Sequence, residues 1–156
     1  MRSVSALIAA CLALIVLRAG PATAVTVTRT ADLSFGQVLI GSTGAVTIPA
    51  NAFGRPFGAV SLLLKGSQCQ QCHPGAFTIV NDTSSQASYS LSLASTPTDL
   101  GLPDLPLGAF TLSQGAVTLP PNGSAIVYVG ATLIVTSTRP SGGNHTATVP
   151  ITLRAQ

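Results

Sequence analysis

Apolar residues recur at every second position through most of this chain, and nowhere at the 3.6-residue spacing of an amphipathic helix. Tyr89-Ser90-Leu91-Ser92-Leu93 is the clearest case. Val25-Thr26-Val27-Thr28, Leu33-Ser34-Phe35, Ala45-Val46-Thr47-Ile48, Phe77-Thr78-Ile79 and Phe110-Thr111-Leu112 repeat it. Side chains of a strand alternate between faces, so this period builds sheets with one apolar face. Thr, Val, Ser, Ile and Leu dominate the runs, as a pleated, half-buried surface requires.

Two runs read differently. Ala125 to Thr136 (AIVYVGATLIVT) is nearly continuous in apolar residues, which predicts a central strand covered on both faces. His145 to Leu153 closes the chain, and Pro150 within it argues for an edge strand or a bulge. Turn residues separate the runs at Gly41-Ser42-Thr43-Gly44, Pro120-Pro121-Asn122-Gly123 and Pro140-Ser141-Gly142-Gly143-Asn144. About eight or nine short strands with regular turns predict an all-β fold, a single antiparallel β-sandwich of Ig-like or adhesin-like style. The words GAVTI (44–48), GAVSL (58–62) and GAVTL (115–119) recur at unequal spacing, as a glycine turn leading into alternating residues. Thr96 to Pro106 (TPTDLGLPDLP) is the longest irregular stretch and reads as a connection across the sandwich. Asn81-Asp82-Thr83, Asn122-Gly123-Ser124 and Asn144-His145-Thr146 fit the glycosylation pattern, but a chain rich in these residues is expected to match by chance.

The first residues read as an export signal. Arg2 supplies the positive start, Ala6 to Leu17 the apolar run, and Ala22-Thr23-Ala24 a cleavage site. Residues 1–24 are the expected signal peptide and residues 25–156 the expected β-sandwich domain. The run is too short to span a bilayer, and no second one follows. Cys11 is not read as a lipid-attachment site, because the apolar run continues past it to Leu17. The expected location is therefore exported: periplasm, cell surface or medium. Without Arg2 and Arg18, five basic residues (Arg29, Arg55, Lys65, Arg139, Arg154) face four acids (Asp32, Asp82, Asp99, Asp104). No basic cluster remains to neutralise a phosphate backbone, so nucleic acid is not an expected partner. Charged residues are 7% of the chain, so its surface must be built from hydroxyls, amides and glycine. Low charge protects little against self-association and suits a protein that assembles.

Leu33-Ser34-Phe35-Gly36 followed by Gly44-Ala45-Val46-Thr47-Ile48 resembles the opening of a family of small secreted bacterial proteins known only as a domain of unknown function. The resemblance continues in order through Ala76-Phe77-Thr78-Ile79, Tyr89 to Leu93, Val129-Gly130-Ala131-Thr132-Leu133 and Gly143 to Val149. It implies a β-sandwich similar in style to fimbrial and adhesin-like subunits, and brings no catalytic residues. Two features depart from the family's pattern. Ile151-Thr152-Leu153 stands where an aromatic usually ends the last strand, and CQQCHPG (69–75) is an addition before Phe77.

Cys69-Gln70-Gln71-Cys72-His73 carries the only candidate chemistry. One reading is covalent haem c, with Cys69 and Cys72 as thioethers and His73 as axial ligand. Met1 is the only methionine, so His145 would have to serve as second ligand. The flanks (KGSQCQQCHPG) are polar, and the chain has no Trp to help wall a haem pocket. A zinc reading uses Cys69, Cys72, His73 and His145, of which only the Cys pair has good spacing. A redox reading needs a helix after Cys72, which Pro74-Gly75 oppose. The remaining reading is a Cys69–Cys72 disulfide closing a small loop in an oxidising compartment, a staple of about 2 kcal/mol. Other chemistries are poorly served. There is no G-x-S-x-G elbow and no phosphate-cradling Gly-Lys motif. Asp99 and Asp104 share one loop, which does not suit a glycosidase pair. Tyr89, expected half-buried, and Tyr128 make a weak sugar platform. The expected function is a non-enzymatic structural or surface-assembly protein without cofactor or metal. Its partners would be other protein subunits, met by strand pairing through Val25–Thr30 or His145–Arg154. The alternative is a periplasmic monohaem electron carrier.

Overall fold

The computed structural model of the chain describes residues 5–12, 25–39, 43–53, 55–58, 72–93, 105–137, 144–148 and 151–156. Every regular element among them is a strand. In chain order these are β1 (Ser5–Leu12), β2 (Val25–Ala31), β3 (Ser34–Phe35), β4 (Gln37–Leu39), β5 (Gly44–Ile48), β6 (Phe57–Gly58) and β7 (Cys72–His73). There follow β8 (Gly75–Asn81), β9 (Ala87–Leu93), β10 (Leu107–Leu112), β11 (Ala116–Leu119), β12 (Ser124–Val135), β13 (Asn144–Thr148) and β14 (Ile151–Ala155). The period-two runs thus become strands, and the fold is all-β with antiparallel sheets in a sandwich-like arrangement.

The largest sheet runs β2-β8-β12-β5-β6, with β10 on the opposite edge of β12. β12 is long enough to take two partners end to end on one side. β8 pairs with Ser124 to Val129, and β5 with Ala131 to Val135. Gly130 sits at the junction, where the backbone at the end of β5 turns across the strand. A Cβ at position 130 would meet the Ile48 carbonyl, the Ala50 nitrogen at 2.6 Å and the Pro49 carbonyl carbon at 2.8 Å. Only glycine lets the two backbones approach this closely.

β12 also divides the core. Val127 and Val129 join Phe77 and Ile79 of β8 in one cluster. The facing sheet β11-β9-β14 completes it with Tyr89, Leu91, Val117, Leu119, Ile151 and Leu153. Ala131, Leu133 and Val135 join Val46, Ile48, Leu105, Leu107, Leu33 and Phe35 in the second cluster. Burial along β12 alternates, and its outward Ile126 and Ile134 are 52% and 41% exposed. The expected central position is therefore correct, but the expected cover on both faces is not. The outer face is finished by hydroxyls instead: Thr47 and Thr132, directly opposite in register, bond at 2.8 Å. Ser88 and Thr118 do the same on the facing sheet at 2.9 Å. Such cross-strand pairs stabilise modestly and need no charge. The one ion pair among the described residues, Arg29–Asp32 at 2.8 Å, is solvent-exposed and contributes little.

The closing run is two strands in two sheets. β13 pairs with β1, and β14 pairs with β9 at the edge of its sheet. β13 ends at Thr148 and β14 begins at Ile151; Pro150, expected to mark an edge or a bulge, lies outside the described residues. A similar switch occurs earlier, where Gly36, at φ 62°, separates β3 from β4. The segment read as the apolar part of an export signal contributes β1. It runs parallel to β13 and antiparallel to β4, a departure from a wholly antiparallel fold. Most of Thr96–Pro106 lies outside the described residues; its end, Leu105, is fully buried in the second cluster.

Gly130→Ala should destabilise the domain by about 1–3 kcal/mol, the range for forcing atoms into a packed site. Urea denaturation monitored by circular dichroism would read this as a lower midpoint with an unchanged slope.

Candidate functional site

β3 and β7 form a two-stranded ribbon in which Ser34 lies opposite His73 and Phe35 opposite Cys72. Because neighbouring residues on a strand face opposite ways, Cys72 and His73 diverge. Cys72 is partly buried against the cluster that holds Phe35. Its Sγ lies 2.9 Å from the Phe35 carbonyl oxygen. His73 is exposed, and its Nδ1 stands 3.2 Å from the Pro74 carbonyl oxygen. A carbonyl only accepts, so in this contact the Nδ1–H donates.

The structure therefore places Cys72 and His73 side by side in sequence but not converging on one point. Cys69, Asp99 and Asp104 lie outside the described residues. His145 belongs to β13, in register with Ile8 of β1. Among the described residues, no group of three or more His, Cys, Asp or Glu side chains is placed to hold a metal ion.

The best-built polar constellation is elsewhere, around Asn81, the one buried polar residue among the described core side chains. Its Nδ2 donates to the carbonyls of Ser85 at 2.8 Å, Pro120 at 3.0 Å and Leu119 at 3.4 Å. Its Oδ1 accepts from the Thr83 hydroxyl at 2.7 Å, the Thr83 amide at 3.2 Å and the Tyr89 hydroxyl at 3.2 Å. The backbone adds two ties between the same turns. Asn81 N–H donates to Gly123 at 2.9 Å, and Asn122 N–H to Thr83 at 3.1 Å. Asn122 itself takes φ 53° in the turn closed by Gly123 N–H to Pro120 carbonyl at 2.9 Å. Proline then a positive-φ Asn is type II turn chemistry. One amide thus stitches the β8–β9 turn to the β11–β12 turn above the larger core cluster. The sequence marked Asn81 only as a chance glycosylation match. Its Nδ2 is fully engaged and unexposed, so the folded domain offers no acceptor there. The readable signal was the short span from an Asn ending one strand to the aromatic inside the next.

Tyr89 is fully buried rather than half-buried. Burial away from water, helped by the negative charge of Asp82, holds its hydroxyl above the ordinary 10.0. This group is a structural phenol, not a catalytic acid poised near neutrality.

The chain is a small all-β domain of mostly antiparallel sheets in which a buried polar side chain, Asn81, secures the turns. The match to the family described as "Domain of unknown function (DUF4402)" covers residues 25–155, and the chain belongs to that family. No curated protein matches it. The resemblance traced through Leu33–Gly36, Phe77, Tyr89 and Val129–Leu133 is therefore a family relationship.

Asn81→Ala should cost about 3 kcal/mol or more, because it strands several buried groups at once. Tyr89→Phe should cost only roughly 1 kcal/mol, since Thr83 still satisfies Asn81. The Tyr89 pKa has a signed consequence. The folded state disfavours the phenolate, so this stability is complete below pH 10 and is lost as pH rises through the folded value. Denaturation midpoints measured across alkaline pH should fall less steeply for Tyr89→Phe than for the unmodified protein. His73→Ala, at an exposed position, should leave stability within about 0.5 kcal/mol.

Proposed function

We propose that this is an exported, non-enzymatic structural subunit, working without cofactor or metal in the periplasm, on the cell surface or outside the cell. One observation carries the reading. The described polar chemistry is consumed in holding turns and strands together, while the described surface offers strand edges, hydroxyls and isolated apolar side chains. Phe53 is 89% exposed and Phe57, within β6, 62% exposed; β6 ends the large sheet among the described residues. Exposed aromatics at a sheet edge favour contact with another protein. The fimbrial or adhesin-like style belongs to this proposal.

Export is supported by the residues of the leader and by the family match, which opens at residue 25, the first residue after Ala24. The staple reading of CQQCH pairs Cys69 with Cys72. It is supported by the disulfide at Cys72, since a sulfur so bonded is unavailable for a haem thioether. The divergence of His73 from Cys72 favours it over haem or zinc as well.

Two measurements test the proposal. Mass spectrometry and a visible spectrum of protein exported by a host with haem-attachment machinery should show a chain beginning at Val25, two hydrogens short of the reduced mass, and colourless. A covalent haem mass with a Soret band would contradict it. Deleting Val25–Thr30 should impair assembly if that strand joins a neighbour. Because β2 already pairs with β8 of its own sheet, unchanged assembly would remove that strand from the interface.

A further inference from the structure

One sheet is built around the leader itself. Its strand order is β13-β1-β4, so the middle strand is Ser5–Leu12 and both flanking strands lie within the family domain. Among the described residues, β4 and β13 pair with no other strand. β1 runs antiparallel to β4 through Ser5↔Leu39, Ala6↔Val38 and Leu7↔Gln37. It runs parallel to β13 through Leu7↔Asn144, Ile8↔His145, Cys11↔Ala147 and Leu12↔Thr148, with a bulge between. β4 follows directly on β3, whose Phe35 is 2% exposed in the second core cluster.

Removal of residues 1–24 takes away the centre of this sheet and leaves its two sides. The edges of Gln37–Leu39 and Asn144–Thr148 would then face each other across a gap one strand wide, roughly 9–10 Å between strand axes. Each would present unpaired N–H and C=O groups, the feature that recruits a further strand. We propose that this gap is a strand-acceptor slot, closed by the leader in the uncleaved chain and filled after cleavage by an extended apolar segment of a second polypeptide. The occupant's chemistry is read from the segment seated there: eight residues, SALIAACL, uncharged and almost wholly apolar. Val25–Ala31 is a poorer candidate, since it carries Arg29, alternates with threonines and is already paired to β8. This inference rests on the proposed leader removal and deepens the strand-pairing reading by naming the acceptor edges.

The probe is a synthetic peptide of residues 5–12 with terminal lysines for solubility, added to protein exported and processed by its host. Binding to the processed chain, protection of amides in 37–39 and 144–148, and weakening by about tenfold or more for the Ile8→Pro peptide would support the slot. A chain shown by mass to begin at Val25 that neither binds the peptide nor gains protection there overturns the inference and leaves the export reading intact. A mass retaining residues 1–24 overturns the export reading and the inference with it. Should the processed chain fold poorly alone, the uncleaved full chain provides the second test. With Ala6→Cys and Val38→Cys, opposite each other in register, it should form a cross-link on mild oxidation. A failure to cross-link would show that the leader does not seat between these strands.

Discussion

Everything in this domain hangs on the passage of β12 through both halves of the core. Its inward side chains, Val127 and Val129 on one side of Gly130 and Ala131, Leu133 and Val135 on the other, belong to two clusters. Its one edge serves β8 and then β5, with β10 along the other. Among the described strands none pairs with as many partners. The missing side chain at position 130 lets the end of β5 close against it, so two small cores share one strand. With few charges and two tyrosines as its largest aromatics, the chain relies on aliphatic packing and aligned ladders.

The second constraint is polar. A sandwich of short strands must turn often, and each turn exposes carbonyls that water or a side chain has to meet. Asn81 meets those of Ser85, Leu119 and Pro120 from inside, and Tyr89 caps it with its own hydroxyl. On the outer faces the same economy appears as Thr47–Thr132 and Ser88–Thr118. These pairs show how a chain with 7% charged residues finishes its surface.

Much of the fold was legible in the sequence, for a physical reason. The two-residue period is a direct imprint of the pleat, so Tyr89–Leu93, Phe77–Ile79 and Ala45–Ile48 could be placed as strands without any tertiary information. What was not legible depends on contacts between distant segments. The outer face of Ala125–Thr136 looked covered because an apolar run does not reveal whether a second layer packs over it; Ile126 and Ile134 stay exposed. The run His145–Leu153 did not reveal that β13 and β14 would lie in different sheets. The importance of Asn81 lay hidden behind a common three-residue pattern, since its partners at Leu119 and Pro120 are brought to it only by folding. The reverse holds for CQQCH, which is conspicuous as a word. Its spacing suits haem attachment, yet Cys72 packs inward while His73 turns to solvent.

The functional account turns on edges. β2 and β14 are drawn into the chain's own sheets, which leaves β4 and β13, among the described residues, as the pair held only through Ser5–Leu12. Hydrogen exchange on the processed, unassembled chain tests this most directly. Gln37–Leu39 and Asn144–Thr148 should exchange fast while β8, β9 and β12 stay protected. Equal protection of all five segments in an isolated chain lacking residues 1–24 would contradict it.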